Sequence, residues 1–241
     1  MPDTEPERIL VICAHPDDMD FGAAGSIAHW TTAGITVTYC LVTSGQAGSE
    51  DRSLTPDQVA EVRIAEQTAA AALVGVTNLI WLGWPDGAVE PTLVLRRELS
   101  RIIRSVRPDR VVTQSPQLNL DRIYASHPDH LATGQAALAA VYPDARNPHA
   151  HPELLADGFE PWVVPEVWLM AGPTTPESSR VHVDITTTMD NKIAALRCHR
   201  SQNQTWAELD DVIRAWGTLT AVEVGLPEGR MAEAFRRVDT P

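Results

Sequence analysis

The residues best suited to chemistry begin with a five-residue segment, AHPDD, at positions 14–18. His15 and Asp18 are three residues apart in a tight, proline-containing loop, so both side chains can reach one ion. Asp17 lies between them, and because consecutive side chains generally point in different directions, we expect its carboxylate to stay free of that ion. The segment therefore offers two metal ligands and one spare carboxylate.

A second segment of the same kind, SHPDH, occupies positions 126–130. His130 is predicted to begin a helix, and His127 precedes it by three residues. Two histidines and one carboxylate that leave a coordination position open are typical of a catalytic zinc site. We therefore interpret His15, Asp18 and His130 as ligands of one divalent metal. Zinc is the first choice, and iron(II), which suits the same ligands, is the second.

The same two segments supply candidates for proton transfer. Water beside a zinc ion loses a proton near neutral pH, and a nearby carboxylate can accept that proton. We assign this role of general base to Asp17. His127, in its protonated form, is the candidate that stabilises the developing oxyanion and later protonates the leaving amine.

Each segment also has a purely structural interpretation. Proline–aspartate pairs are ordinary turn formers, and Asp129, directly before a helix, is a good N-cap. A different metal chemistry fits the spacing too, because His15, Asp17 and His130 match the His-x-Asp…His triad of iron oxygenases. Those sites usually lie in all-β barrels, whereas strands and helices alternate along this chain.

Both segments are predicted to follow buried strands. Residues 9–13 form a short apolar run rich in β-branched side chains, and residues 110–113 form another strand that leads into a long loop at 115–129. Further strands are predicted at 35–42, 78–82, 166–170 and 180–185, and helices at 22–33, 55–74, 95–106, 131–141, 190–200 and 207–216. Residues 142–161 are predicted to be a surface excursion, and the last two dozen residues are ambiguous. This alternation predicts one α/β domain over residues 1–241 with a mostly parallel sheet.

The predicted helix after Thr55 has the clearest start, with a capping-box pattern and a proline at its first position. Its apolar residues predict which face is buried. We expect Val59, Val62, Ala69 and Leu73 to point into the core.

Composition limits the class of protein. The chain has 241 residues, a net charge of −13 and a pI near 4.9, which argues against nucleic acid or an anionic membrane surface as a partner. No apolar stretch reaches the roughly 20 residues of a membrane-spanning helix. The first seven residues are acidic and contain two prolines, unlike a signal peptide, and the three cysteines read as reduced thiols. We expect a soluble cytoplasmic protein.

Together, the two segments resemble the paired signatures of the LmbE/PIG-L superfamily of zinc-dependent de-N-acetylases. Smaller matches along most of the chain accompany them: VTSG at 42–45, Arg63, Glu66, Asp86, Gly87, RPD at 107–109, Lys192 and HRSQ at 199–202. The resemblance implies a Rossmann-like single domain with helices flanking the sheet. It also implies zinc on His15, Asp18 and His130, with Asp17 as general base and His127 assisting at the oxyanion.

The resemblance further implies hydrolysis of an N-acyl group, typically on N-acetylglucosamine attached to another group. The expected partner is therefore a small amino sugar conjugate, and homo-oligomers are suggested. Arg63 and Asp86 resemble positions that meet the distal part of the substrate, and Trp84 at a strand end could stack on the apolar face of a sugar. Arg63 also has a plainer interpretation, an ion pair with a glutamate of its own helix.

The chain departs from the family pattern at two places. Met19 stands where the family usually has glutamate, with Asp20 next, and Tyr124 lies one residue before the position that is tyrosine in some members. Met19 gives weight to a non-catalytic, carbohydrate-binding relative, and an amidase of a sugar-linked thiol conjugate is the alternative hydrolase. His199 and Gln202 resemble a C-terminal motif of the family, whose role the sequence leaves open.

Overall fold

One seven-stranded sheet forms the centre of the molecule. The computed structural model describes residues 6–120, 123, 126–170, 179–203 and 206–240. The strands are Arg8–Cys13 (β1), Thr36–Thr43 (β2), Asn78–Trp84 (β3), Arg110–Thr113 (β4), Glu166–Met170 (β5), Arg180–Asp184 (β6) and Ala232–Asp239 (β7). Their order is β3-β2-β1-β4-β5-β7-β6. The first five run parallel, and β7 is antiparallel to both of its neighbours.

Helices cover both faces of this sheet. The α-helices are Asp18–Thr32 (α1), Pro56–Leu73 (α2), Leu93–Val106 (α3), Pro128–Ala139 (α4), Pro152–Ala156 (α5), Met189–Leu196 (α6), Arg200–Asn203 (α7) and Leu209–Glu223 (α8), and a short π-helical segment, Ala140–Asp144, follows α4. Side chains of β1 alternate between two buried clusters, because successive residues of a strand face opposite sides. Ile9 and Val11 pack with α1, α2, α6 and α8, whereas Leu10 and Ile12 pack with α3 and α4.

The strand order reverses direction at β1. From β1 the chain builds outwards through β2 and β3 on one side, and then returns to place β4 and β5 on the other. In open α/β sheets, the crevice past the carboxyl ends of the strands at such a switch point is where ligands bind. The loops that leave β1 and β4 therefore border the crevice, and these are the loops that carry residues 15–18 and 127–130.

The predicted α/β class and the mostly parallel, helix-flanked sheet are confirmed. The ambiguous last two dozen residues contain the end of α8 and the long strand β7, which is inserted between β5 and β6. The helix predicted at 190–200 ends earlier, with α6, and the separate short helix α7 begins at residue 200. The excursion at 142–161 contains the short helix α5. Within the residues that the structure covers, no helix has the length and apolarity needed to cross a bilayer.

The predicted buried face of α2 is wrong in three of four positions. Val59 is buried, but Val62 and Leu73 are 41% and 46% exposed, and Ala69 is exposed too. The face that packs inwards carries two polar residues, Arg63 and Gln67, together with small alanines. Apolar spacing missed this face because α2 turns its polar side chains towards the loop that contains Asp17.

Candidate active site

The loop after β1 has a backbone shaped to present its side chains. Asp17 has φ of 76°, in the left-handed region that residues with a side chain rarely adopt. The backbone N–H of His15 donates to Asp18 Oδ2 at 2.7 Å, which closes the loop. Gln114, at the end of β4, accepts from the backbone N–H of Ala14 at 3.0 Å and donates to Asp18 Oδ2 at 2.9 Å. Gln114 thus fixes the loop and the Asp18 carboxylate together.

His15, Asp18 and His130 come together in the crevice. His15 Nδ1 lies 3.2 Å from His130 Nε2, and Asp18 places Oδ1 at 2.9 Å from His130 Nε2 and Oδ2 at 3.5 Å from His15 Nδ1. Ligand atoms about 2.0–2.1 Å from a tetrahedral zinc ion lie roughly 3.3 Å from one another. Two imidazole nitrogens and a carboxylate at these separations suit a divalent metal of that size.

The other nitrogen of His15 faces two carboxylates. His15 Nε2 lies 3.2 Å from Asp129 Oδ2 and 3.1 Å from Asp86 Oδ1. Asp129 is fully buried and accepts from the backbone N–H groups of Gly87 and Val89. A histidine that binds a metal through one nitrogen commonly donates its other N–H to a carboxylate. Asp129 and Asp86 therefore orient the His15 ring.

The close polar groups of the crevice form two sets of potential metal ligands. One set is His15, His127 and His130, and the other is His15, Asp86 and Asp129; within each, one ligand atom per residue lies within 4.8 Å of the others. Backbone N–H groups donate to both carboxylates of the second set, whereas on the other side of His15 the Oδ1 atom of Asp18 faces His130 Nε2. The structure thus shows a group of histidines and carboxylates that could hold a metal ion.

The charges of the crevice favour a cation. Burial by itself lowers the pKa of His15, but hydrogen bonds with Asp129, Asp18 and Asp86 outweigh it and raise that pKa to about 11. Burial by itself raises the pKa of Asp18, but His130 and His15 outweigh it and hold the pKa far below its usual range. The surplus of carboxylates around His15 stabilises positive charge, which a divalent metal would supply.

His127 caps the start of α4 and lies against the same group. Its Nδ1 accepts from the backbone N–H of Asp129 at 3.2 Å, and its ring centroid is 4.8 Å from that of His15. Burial and the nearby His15 and His130 lower the pKa of His127. The neutral ring is therefore favoured over the protonated form expected from the sequence. With Nδ1 accepting, neutral His127 carries its proton on Nε2, where it can still donate to an oxyanion.

Asp17 is held by α2. Arg63 Nη2 lies 3.2 Å from Asp17 Oδ2 and also donates to the backbone carbonyl of Pro16, while Nη1 donates to the carbonyl of Gly45. Burial raises the pKa of Asp17 to about 6, although the charge of Arg63 opposes the shift. A carboxylate with a pKa in this range can exchange protons near neutral pH.

The three predicted substrate contacts lie around the crevice but have partners within the protein. Arg63 is 5% exposed and its guanidinium contacts Asp17. Asp86 accepts from the backbone N–H of Ala47 as well as facing His15. Trp84 donates its indole N–H to Glu98 at 2.8 Å and packs on the core. Contact of these residues with substrate stays a prediction, and Tyr124 lies outside the described residues.

Sequence patterns missed four residues that support the site. Asp129 looks like a plain helix cap, but its carboxylate faces His15, while His127 is the N-cap. Gln114, Gln67 and Asp20 are buried and make their hydrogen bonds with residues of other elements, so no local spacing marks them. The one sequence signal that could have indicated these three residues is a polar side chain at a position where the element is predicted to be buried.

Comparison with known proteins places the chain in a family. The family model described as GlcNAc-PI de-N-acetylase (PIG-L) matches residues 10–141, more than half of the chain, and covers both histidine segments. This chain belongs to the PIG-L family. The predicted resemblance is thereby confirmed.

Individual PIG-L relatives are deacetylases of N-acetylglucosamine-containing compounds by name. The diacetylchitobiose deacetylase of Thermococcus kodakarensis is 31% identical over 83% of this chain and 72% of its own length. The probable N-acetyl-alpha-D-glucosaminyl L-malate deacetylase 2 of Bacillus cereus is 28% identical over 83% of this chain and 86% of its own. The solved N,N'-diacetylchitobiose deacetylase from Pyrococcus horikoshii, in complex with the inhibitor MPG, superposes with a TM-score of 0.87 at 29% identity, over 98% of this chain and 85% of that one.

Proposed function

We propose that this protein is a zinc-dependent deacetylase that removes the acetyl group from an N-acetylglucosamine conjugate. The observation that carries the proposal is the convergence of His15 Nδ1, His130 Nε2 and the Asp18 carboxylate at separations of 2.9–3.5 Å. These atoms lie in the crevice at the strand switch point, where this sheet architecture binds ligands. Membership of the PIG-L family and the names of its relatives support the choice of deacetylation as the reaction and of an N-acetylglucosamine conjugate as the substrate.

The residues that would hold the metal are His15, Asp18 and His130. A divalent zinc ion, when bound there, polarises the amide carbonyl and makes a nearby water molecule more acidic. Zinc is preferred because two imidazoles and one carboxylate are typical ligands of catalytic zinc, although iron(II) accepts the same set.

Asp17 then acts as the general base. Its carboxylate accepts the proton of the water that attacks the carbonyl carbon, and its pKa of about 6 lets it be ionised at neutral pH and yet bind that proton. His127 donates its Nε2–H to the oxyanion that develops on the carbonyl oxygen. When the C–N bond breaks, protonated Asp17 is an acid that can return the proton to the leaving amine. The products are acetate and the free amino sugar.

The test is amine release by protein of known metal content. Purified protein is analysed for bound metal, stripped with a chelator, reloaded with Zn²⁺ and incubated with N,N'-diacetylchitobiose and with simple N-acetylglucosamine conjugates. We expect about one zinc per chain, and acetate and free amine that disappear on chelation and return with Zn²⁺. The matched control is His15→Ala, which should fail to bind the metal. Stoichiometric zinc without release of amine from any N-acetyl sugar would overturn the proposal.

A further inference from the structure

The C-terminal motif at residues 199–202 reaches the loops around Asp17. Three of its polar side chains contact different parts of the chain: His199 contacts Asp20 of α1, Ser201 contacts Glu66 of α2, and Gln202 contacts the backbone at Gly48. Within the described residues, no hydrogen bond or ion pair joins this motif to His15 or to His130. The motif therefore acts on something other than the candidate ligand histidines.

One line of hydrogen bonds runs from His199 to the backbone of Asp17. His199 Nε2 lies 2.8 Å from Asp20 Oδ2, and the same oxygen accepts from Gln67 Nε2 at 2.8 Å. Gln67 Oε1 in turn accepts from the backbone N–H of Asp17 at 2.7 Å. His199, Asp20 and Gln67 are fully buried. Because a carboxylate only accepts, Asp20 turns the Gln67 amide so that its oxygen faces Asp17, and His199 holds Asp20 in place.

A second line runs from Gln202 to the carboxylate of Asp17. Gln202 Nε2 donates to the carbonyl of Gly48 at 2.7 Å, and Gly48 donates its N–H to the carbonyl of Gly45 at 3.0 Å. That carbonyl also accepts from Arg63, whose other nitrogen reaches Asp17 Oδ2. A Cβ at either glycine would overlap the guanidinium of Arg63. Gln202 therefore fixes the glycine turn against which the guanidinium of Arg63 packs.

Both series of hydrogen bonds end on Asp17, whose backbone conformation is unfavourable. The left-handed backbone of Asp17 is unfavourable for a residue with a side chain, so it persists only where its surroundings hold it. The first line fixes the N–H of Asp17, and the second fixes its carboxylate. Together they determine where the Asp17 oxygen atoms lie relative to the crevice.

We propose that His199 and Gln202 are positioning residues that hold the general base Asp17 from two sides, through Gln67 and through Arg63. This inference rests on the proposed role of Asp17 as base. Misplacement of a reacting group by about 1 Å can lower a rate by two orders of magnitude. Loss of either line should therefore lower kcat without changing KM or metal content.

The first experiment measures kcat and KM on N,N'-diacetylchitobiose with zinc-loaded variants. Gln202→Met keeps the side-chain length but cannot donate to Gly48, and His199→Leu cannot donate to Asp20. We expect kcat to fall roughly 10- to 100-fold in each, with KM within about twofold of wild type. His199→Gln places an amide N–H where Nε2 was and should restore most of kcat. The matched control is Arg200→Ala, an exposed residue of the same motif, which should retain wild-type kinetics.

The second experiment separates positioning from general loss of structure. Because both residues act through Asp17, adding Gln202→Met or His199→Leu to Asp17→Asn should cost no further activity. Amide hydrogen exchange of residues 14–20 gives an independent readout, and we expect faster exchange at Asp17 in His199→Leu than in wild type. Losses that multiply in the double variants, or unchanged kcat in Gln202→Met together with unchanged exchange in His199→Leu, would overturn the inference. Absence of turnover in the wild type would instead count against the proposed function, and hydrogen exchange would still test the support of Asp17.

Discussion

In the proposed mechanism, Asp17 is the residue on which the chemistry depends most directly. Replacing it by asparagine keeps the size and shape of the side chain but removes the basic carboxylate. We expect Asp17→Asn to bind zinc as wild type does and to lose kcat by about 10²–10⁴-fold, the usual contribution of a general base. Steady-state kinetics and metal analysis on the same preparation check this. Activity within threefold of wild type would remove Asp17 from the role of base.

In the proposed site, Asp129 differs from Asp17 in that it would act on the metal through His15. Its carboxylate lies 3.2 Å from His15 Nε2 and is held by two backbone N–H groups. Asp129→Asn should weaken zinc affinity by about 10–100-fold, as loss of a carboxylate behind a ligating histidine usually does. Competition with a chromogenic chelator measures the affinity. An Asp129→Asn protein that binds zinc as tightly as wild type would show that Asp129 does not orient the ring.

At the scale of the elements, Arg104 of α3 organises the excursion that follows α4. Arg104 is 2% exposed, and its guanidinium lies within 3.3 Å of five backbone carbonyl oxygens, those of Asp144, Ala145, Asn147, Ala150 and Phe159. Arg104→Met leaves several of these acceptors without a donor. We expect it to lower the free energy of unfolding by about 2–4 kcal/mol. Denaturant unfolding measures this change, and Arg97→Met, half exposed on the same helix, is the control and should change stability little.

The junction between α6 and α7 gives stability a dependence on pH. Burial by itself lowers the pKa of His199, but Asp20, with Asp17 and Glu66 farther off, outweighs it and raises that pKa. A raised pKa in the folded protein stabilises it below the unfolded histidine pKa of about 6.5, and this contribution is lost as pH rises through the folded-state pKa. The stability difference between wild type and His199→Gln should thus be largest near pH 6 and shrink towards pH 9. Unfolding of both metal-free proteins measures it, and a difference that grows with pH would contradict it.

At the scale of the whole molecule, a buried ion pair joins both ends of the chain. Lys192 of α6 donates to Glu233 of β7 at 2.5 Å and to the carbonyl of Phe21 in α1, and Glu233 accepts from Ser26 of α1. Lys192→Met leaves the Glu233 carboxylate buried without its cation, which typically costs about 3–5 kcal/mol. Unfolding in denaturant measures the loss. Arg214→Met in α8, which removes an exposed pair with Asp190 of α6, is the control and should cost less than about 1 kcal/mol.

The sequence predicts the parts of this molecule that local pattern determines. Strand β1 and the segment after it were predictable because an apolar run and a proline turn are contiguous, and parallel strands bring their ends to one edge. The ion pair of Lys192 and Glu233 was not predictable from the sequence. It joins residues 41 apart in the chain, on two elements whose packing against each other is not indicated by the spacing of apolar residues. Arg63 and Gln67 show the same limit. Hydropathy assigned the buried side of α2 to Val62 and Leu73, whereas the helix buries the polar residues that serve Asp17.

His15 and His130 are 115 residues apart in the chain and within 3.2 Å of each other in space. A metal ion bound by both histidines would act as a removable cross-link between these two segments. Cross-links that close long stretches of chain remove the most conformational entropy from the unfolded state. Metal supply would then govern how much folded enzyme a cell keeps, as well as how fast each copy works. A cell short of that metal would then lose part of the protein to unfolding and proteolysis.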